Sequence, residues 1–259
     1  MNRVGVLLGV AGVLVTGTLL SAGVMLRDPA TQERSDQPVT YGFDGRAGLM
    51  TNEYAHWNPS DPKRTAARDW VMTSGSVFRR DGHAWTGELD DISPDVASER
   101  STNSAVFRLF TRRSDWRNTS VTIRYRVLSR RDQDAHDYDG LHLLLRARQS
   151  THFYSVSLDR RDGEAVVKRK LPGVDDDPYE TLAAAPLVNQ MGRWRTAVVR
   201  LEDLSSGAVA IDVSVDGQQV LGVLDHGLGG RGPLRDEGQI GVRGDNTEFE
   251  LSSVEVAPL

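Results

Sequence analysis

Hydrophobic and polar residues alternate along many short segments of the chain after about residue 40. The alternation is clearest in two segments whose apolar positions are Val121, Ile123, Tyr125 and Val127, and Val209, Ile211, Val213 and Val215. Because successive side chains of a β-strand point to opposite faces, this period predicts half-buried strands with those residues in the core. The residues between them, which include Arg124, Arg126, Asp212 and Ser214, are then expected to face outward.

Turn signals separate the alternating segments. Asp162-Gly163 and Asp216-Gly217 each lie between two such segments, where glycine supplies the positive φ of a tight hairpin turn. No long stretch shows the helical period. Many short strands joined by turns predict an all-β sandwich or barrel over residues 41–259.

One predicted strand has a hydrophobic face and a basic face. It is the segment "YDGLHLLLRAR", residues 138–148. The first face holds Leu141, Leu143, Leu145 and Ala147, and the second holds His142, Leu144, Arg146 and Arg148. The leucine face is expected to lie in the core. The basic face requires either water or a ligand.

The N-terminal segment is strongly apolar, since residues 4–26 carry no charge. A run of this length can cross the roughly 30 Å hydrocarbon core of a bilayer. Residues 1–26 therefore predict an N-terminal hydrophobic helix that is either a signal anchor or a cleaved signal peptide. We favour the anchor because the apolar run continues beyond the small residues at 21–23. The polar residues 27–40 predict a linker. Both interpretations export the following domain, to the extracellular face of the cell membrane or into the medium.

Charge and cysteine content exclude several classes of function. The formal net charge of −5 argues against a general nucleic-acid-binding protein, which is typically strongly basic. The chain has no cysteine, so disulfides, thiolate zinc sites and cysteine nucleophiles are all excluded.

Four segments carry a resemblance to a known family. They are "TSGSVFRRDGHAWTG" (73–87), "NSAVFRLFTRRSDW" (103–116), "YSVSLDRRDGEAVVKRKLPG" (154–173) and "GQIGVRGDNTEFELSSVEV" (238–256). Together they resemble concanavalin A-like lectin/glucanase domains, in particular laminin-G-like domains of secreted actinobacterial proteins. The resemblance spans nearly all of residues 41–257 and implies a jelly-roll β-sandwich whose concave face commonly receives a glycan. It carries over no catalytic residue.

Glycoside hydrolysis finds little support in the sequence. Glycosidases of this fold place two carboxylates on one strand face, and retaining hydrolysis needs them about 5 Å apart. The segment "GELDDISPD" supplies Glu88, Asp90 and Asp91, but Ile92 and Ser93 occupy the positions of the second acid. The segment therefore predicts a surface loop.

A polysaccharide lyase is the catalytic alternative. Such an enzyme needs a tyrosine or histidine base together with a group that neutralises a uronate carboxylate. Tyr154, His142, His152 and Arg146 could form that site.

The outward positions of two predicted strands repeat the same basic chemistry. Arginine binds a carboxylate through two parallel hydrogen bonds and also stacks on rings, which suits an acidic or hydroxyl-rich glycan. We therefore predict that one concave sheet face binds a polysaccharide through Arg124, Arg126, His142, Arg146 and Arg148.

The segment "TNEYAHWNPSDP" (51–62) predicts an irregular loop, because it is rich in turn-forming residues. Its Glu53, Tyr54, His56 and Trp57 could belong to a glycan site, since sugars stack their apolar faces on rings. They could equally cover a sheet edge. Both interpretations stay open at this point.

A structural calcium ion is the one cofactor that the sequence suggests. Asp44 in "GFDG" and Asp245 in "GDN" could share it if the first and last strands are neighbours.

Three functions stay open. The favoured one is an exported, membrane-anchored carbohydrate-binding module. The alternatives are a polysaccharide-degrading lyase or hydrolase of the same fold, and a structural or protein-interaction domain without a glycan ligand. Suitable acid and base groups in one cleft would favour the enzyme, and a flat sheet without exposed rings would favour the third function.

Overall fold

The computed structural model of the protein describes residues 37–88, 106–132, 135–148, 152–171, 179–228 and 231–259. Strands dominate these residues, and the helix α1 (Tyr54–Trp57) is a single turn. The apolar segment 1–26, which is predicted to be a helix, lies outside the described residues. Asp90 and Asp91 also lie outside them. In the part of the chain that the structure describes, no helix has the length and apolar character needed to cross a bilayer.

The strands form two sheets. The nine-stranded sheet contains β1 (Val39–Gly42), β2 (Gly48–Asn52), β4 (Ser76–Arg80), β5 (His83–Trp85), β7 (Thr119–Arg130), β12 (Arg195–Asp203), β13 (Val209–Val215), β14 (Gln218–Asp225) and β16 (Thr247–Pro258). The seven-stranded sheet contains β3 (Trp70–Ser74), β6 (Val106–Thr111), β8 (Gly140–Ala147), β9 (Phe153–Arg160), β10 (Glu164–Lys170), β11 (Tyr179–Pro186) and β15 (Gln239–Asp245).

The strand pairs in both sheets are antiparallel. The nine-stranded sheet has the order β14-β13-β12-β7-β16-β5-β4-β2, with β1 also paired to β16. The seven-stranded sheet has the order β11-β10-β9-β8-β15-β6-β3. Side chains from both sheets meet in one hydrophobic cluster. The chain is therefore an all-β sandwich of two antiparallel sheets, which confirms that part of the predicted fold class.

The predicted inward faces are confirmed. The inward residues on β7 and β13 are at most 2% exposed, and Leu141, Leu143 and Leu145 of β8 contribute to the same core. Arg124 and Asp212 are exposed, as predicted for positions between inward residues. The alternation thus places these strands correctly between core and surface.

Both predicted hairpin turns are confirmed. Asp216 (φ 53°) and Gly217 (φ 80°) join β13 to β14, and two successive positive φ values define the type I′ turn that fits the twist of a hairpin. Gly163 (φ 76°) lies in the turn between β9 and β10.

The chain changes sheet within segments that look continuous in the sequence. Gly75 alone separates β3 of the seven-stranded sheet from β4 of the nine-stranded sheet. Asn246, with φ 46°, alone separates β15 from β16 in the same way. Strands that follow one another in the sequence can therefore present their outward residues on opposite sides of the sandwich.

Candidate functional site

Four polar side chains lie side by side on the outer face of the seven-stranded sheet. Arg108 of β6 is the register partner of Arg243 of β15, which is also opposite His142 of β8. His142 is in turn opposite Ser157 of β9. Their neighbours along each strand belong to the core, so the pleat directs these four side chains away from it. We call Arg108, Arg243, His142 and Ser157 the polar row.

Arg243 is held firmly in this row. Its Nε and Nη2 donate to the two carboxylate oxygens of Asp245 at 2.7 and 2.9 Å, and its Nη1 donates to the Tyr179 hydroxyl at 3.2 Å. Burial favours the neutral form of each charged group, but the mutual attraction outweighs it, so the pKa of Arg243 is raised and that of Asp245 lowered. The pair stays ionised at physiological pH.

His142 is a neutral group at the base of the row. It is 7% exposed, and its Nδ1 lies 2.9 Å from Ser157 Oγ. Its Nε2 lies 3.5 Å from an Asp245 oxygen. Burial lowers the pKa of His142 to about 4, despite the nearby carboxylate. The imidazole is therefore uncharged at neutral pH and can act as a hydrogen-bonding group.

Arg108 differs from Arg243 in its partners. It is half-buried, and its Nε makes no hydrogen bond to any residue that the structure describes. Burial is the main cause that lowers its pKa, and the neighbouring Arg243 adds to this effect. The polar row thus holds one arginine with a dedicated carboxylate and one without.

An apolar patch lies directly beside the polar row. Phe110, Leu144, Ala147 and Phe153 form a second hydrophobic cluster, and Tyr179 packs against it. Phe110 lies across Gly241, where an added Cβ would stand 2.5 Å from a Phe110 ring carbon. The Nζ atoms of Lys168 and Lys170 stand 5.7 and 4.9 Å from the centre of the Tyr179 ring. We call the polar row and this patch together the amphipathic face.

The prediction of one basic face from β7 and β8 is wrong. Arg124 and Arg126 project from β7 on the outer face of the nine-stranded sheet, whereas His142 projects from the outer face of the seven-stranded sheet. Arg126 binds Glu250 through Nε and Nη2 at 3.0 and 2.5 Å. Arg124 and Arg126 both lie against the Trp194 ring. The two sets of residues are on opposite sides of the sandwich.

The outward position predicted for Arg146 is also wrong. β8 has an irregular register near its end, and Arg146 has φ 50° and is 1% exposed. Its guanidinium donates to Asp203, to Asn118 and to two main-chain carbonyls, a structural role. Arg148 lies beyond the end of β8, is exposed, and pairs with Asp236 at 2.5 Å.

The segment 51–62 covers the free edge of the seven-stranded sheet. Glu53 is fully buried and accepts a hydrogen bond from the Gly75 amide at 2.8 Å. Tyr54, His56 and Trp57 form the single turn α1 instead of the predicted irregular loop. The Trp57 Nε1 donates to the Thr73 carbonyl on the edge strand β3 at 2.8 Å. The edge-covering interpretation is therefore supported, while 56% of Trp57 stays exposed.

The structure does not assemble the predicted lyase site. The Tyr154 ring lies in the core and its hydroxyl donates to Asp225 at 2.6 Å, on the face of the sheet opposite His142. Arg146 is committed to the contacts described above, and His152 lies just before β9.

The predicted calcium ligands are not brought together either. The first and last strands are neighbours, as the prediction required, because β1 pairs with β16. Asp44, however, follows β1 of the nine-stranded sheet, and Asp245 ends β15 with both oxygens bound to Arg243. Among the described residues, no group of three or more histidine or acidic side chains could hold a metal ion.

Comparison with known proteins shows the fold. No protein-family model matches the sequence, and no curated protein matches it either. A Bacillus subtilis protein of unknown function with a galectin-like fold has a TM-score of 0.51 at 16% identity, over 73% of this chain and 89% of that one. The carbohydrate recognition domain of Emp46p has a TM-score of 0.50 at 12% identity, over 73% of this chain and 88% of that one. An endo-1,3-β-glucanase from Streptomyces sioyaensis has a TM-score of 0.50 at 12% identity, over 85% of this chain and 96% of that one.

The chain thus shares its β-sandwich with galectin-like and concanavalin A-like lectin folds, as the resemblance implied.

Proposed function

We propose that the protein is a carbohydrate-binding module whose glycan site is the amphipathic face. The observation that carries the proposal is the position of the polar row directly beside the apolar patch. A sugar ring has an apolar face and a rim of hydroxyl groups, so it can pack on a ring or an aliphatic side chain while its hydroxyls hydrogen-bond to polar groups. The polar row offers guanidinium, imidazole and hydroxyl groups for such bonds.

The side chains at the surface of this face fit that role. His142, Ser157 and Leu144 are buried and form its floor, while Arg108, Lys168 and Tyr179 are half-buried and rise above them. The Nζ atoms of Lys168 and Lys170 lie over the Tyr179 ring, so an aromatic ring and charged groups occur together on this face. Two of the similar folds are a carbohydrate recognition domain and a glucanase, which agrees with a sugar ligand.

Binding fits the face better than hydrolysis. Among the residues that the structure describes, the carboxylate that hydrogen-bonds within the polar row is Asp245, and both of its oxygens accept hydrogen bonds from Arg243. Retaining hydrolysis needs a second carboxyl group about 5 Å away and a free nucleophile. Tyr179 is an unsuitable base for a lyase reaction at neutral pH, because burial raises its pKa.

A glycan array probed with the full chain tests the proposal. The protein is kept in a detergent without a sugar headgroup, so that the detergent does not compete with the glycans. We expect binding to at least one class of polysaccharide. Tyr179→Ala should weaken it about tenfold through loss of the stacking ring, and Tyr179→Phe should retain it. Phe78→Ala is the matched control, because Phe78 is a half-buried ring that packs on Trp85 on the opposite sheet. Equal losses for Tyr179→Ala and Phe78→Ala would contradict the assignment of the site.

We also propose that the module is displayed outside the cell on an uncleaved N-terminal anchor. The support is the uncharged run of residues 4–26, which continues beyond the small residues at 21–23. Membrane fractionation should recover the protein with the membranes, and a protease added to intact cells should cleave it. Recovery of most of the protein from the medium, with an N-terminus near residue 23, would contradict the anchor.

A further inference from the structure

The polar row contains two arginines in an unfavourable arrangement. Arg108 and Arg243 are directly opposite one another on adjacent antiparallel strands. Side chains in such positions have Cβ atoms about 5 Å apart, and like charges there repel each other. Asp245 compensates Arg243 through two hydrogen bonds. It provides no hydrogen bond to Arg108 in the described structure.

Arg108 lies in the middle of a buried strand, but its side chain points away from the core. Its neighbours Phe107 and Leu109 are at most 1% exposed and fix the backbone of β6 in the core. A half-buried guanidinium has lost part of its hydration, and donors left without a partner then destabilise the folded state. Such a group calls for an explanation in the structure, and a ligand is one that the surroundings support.

The surroundings of Arg108 favour a ligand with negative charge. Lys168 and Lys170 add two further cationic groups to the same face. A guanidinium presents parallel N–H groups that match the two oxygens of a carboxylate. The apolar patch beside the row gives a sugar ring that carries such a carboxylate a surface on which to pack.

We propose that the glycan bound on the amphipathic face contains a uronic acid, whose carboxylate is held by Arg108 next to Arg243. This inference rests on the proposed function and specifies its ligand. A bound carboxylate would neutralise Arg108 and so reduce the repulsion between Arg108 and Arg243. Arg243, held in place by Asp245, lies beside this carboxylate, and Arg108 binds it.

The test compares acidic polysaccharides with neutral forms of the same backbone. The probes are polygalacturonate, alginate and hyaluronan, each paired with a derivative in which the carboxyl groups have been reduced to primary alcohols. The full chain should bind at least one acid form about tenfold more tightly than its reduced form. Arg108→Gln should abolish this preference, because it should weaken binding of the acid form far more than binding of the reduced form.

Arg200→Gln is the matched control, since Arg200 is an exposed arginine on β12 of the opposite sheet. It should keep the preference for the acid form. The melting temperature of Arg108→Gln should be equal to or above that of the wild type, because the change removes one of two like charges that are opposite one another. A lower melting temperature would indicate a structural role for Arg108 and would overturn the inference.

The possible failures are distinguishable. Equal affinity for acid and reduced forms would overturn the inference and leave the proposed function intact. Binding of dextran sulfate as tightly as the best uronate would also overturn it, because the site would then respond to charge alone. Absence of binding to every acid and reduced probe, and to the glycan array, would overturn the proposed function as well.

Discussion

His142 combines a polar partner with nearly complete burial. Ser157 and Asp245 lie at its two ring nitrogens, yet loss of hydration dominates and lowers its pKa to about 4. In the unfolded chain the same imidazole should titrate near 6.5. Between these two values the unfolded state binds a proton that the folded state does not, so stability falls as the pH falls through this window.

The pH dependence of unfolding therefore reports on His142. Between pH 7 and pH 5 we expect the wild type to lose about 2 kcal/mol more unfolding free energy than His142→Gln. Urea unfolding at both pH values, followed by tryptophan fluorescence, measures the difference. His226→Gln, which changes an exposed histidine, is the control and should behave as the wild type. The same pH dependence in His142→Gln and wild type would show that the histidine is not buried as described.

Single residues in the sequence carry a partial signal for the site. Arg108 stands alone in the apolar run "VFRLF", and Arg243 stands in "IGVRGD". Alternation alone assigns both side chains to an outward face. It does not show that they are opposite one another, because the pairing of β6 with β15 joins segments far apart in the chain. Alternation therefore favoured the arginines on β7 and β8 instead.

At the scale of strands, a buried ion pair joins the two sheets at one edge. Arg169 of β10 is fully buried and donates from Nη1 to both oxygens of Asp225 on β14, at 3.0 and 2.9 Å. Tyr154 of β9 donates to the same carboxylate, and Glu180 of β11 accepts from Arg169. Two strands of one sheet, β9 and β10, are thus attached to a strand of the other, and β11 is linked to them through Arg169.

Loss of one charge from this pair should be costly. Asp225→Asn leaves Arg169 buried with an incomplete set of acceptors, and we expect the free energy of unfolding to fall by about 3 kcal/mol or more. Chemical denaturation at neutral pH measures it. The control is Asp212→Asn, an exposed aspartate on β13, which should change stability by less than about 0.5 kcal/mol. A similar small effect for Asp225→Asn would mean that the pair does not hold the sheets together.

Strands with clear alternation were predictable, and those without it were not. β7 and β13 follow a strict period of two and lie as expected. β11, with the sequence "YETLAAAP", lacks that period and is mostly half-buried, so alternation does not predict it. β8 is buried on both faces, and the irregular register around Arg146 breaks the simple alternation that predicted a basic surface.

At the scale of the molecule, the sequence predicted the class of fold but not which strands share a side. The all-β sandwich follows from strand periodicity and turn chemistry, which are local properties. The sheet to which each strand belongs depends on crossings such as those at Gly75 and Asn246. The two outer faces consequently differ. One carries the amphipathic face, and the other carries Arg126 paired with Glu250 beside Trp194.

The pairing of β1 with β16 bears on how the module can be attached to a support. Val39 is the register partner of Val256, so the start of the first strand lies one strand spacing, about 5 Å, from the end of the last. Both belong to the sheet that does not carry the amphipathic face. An engineered tether at either end of the domain should therefore leave that face equally accessible, and a short linker between the two ends of the domain alone, starting at β1, would close it into a ring.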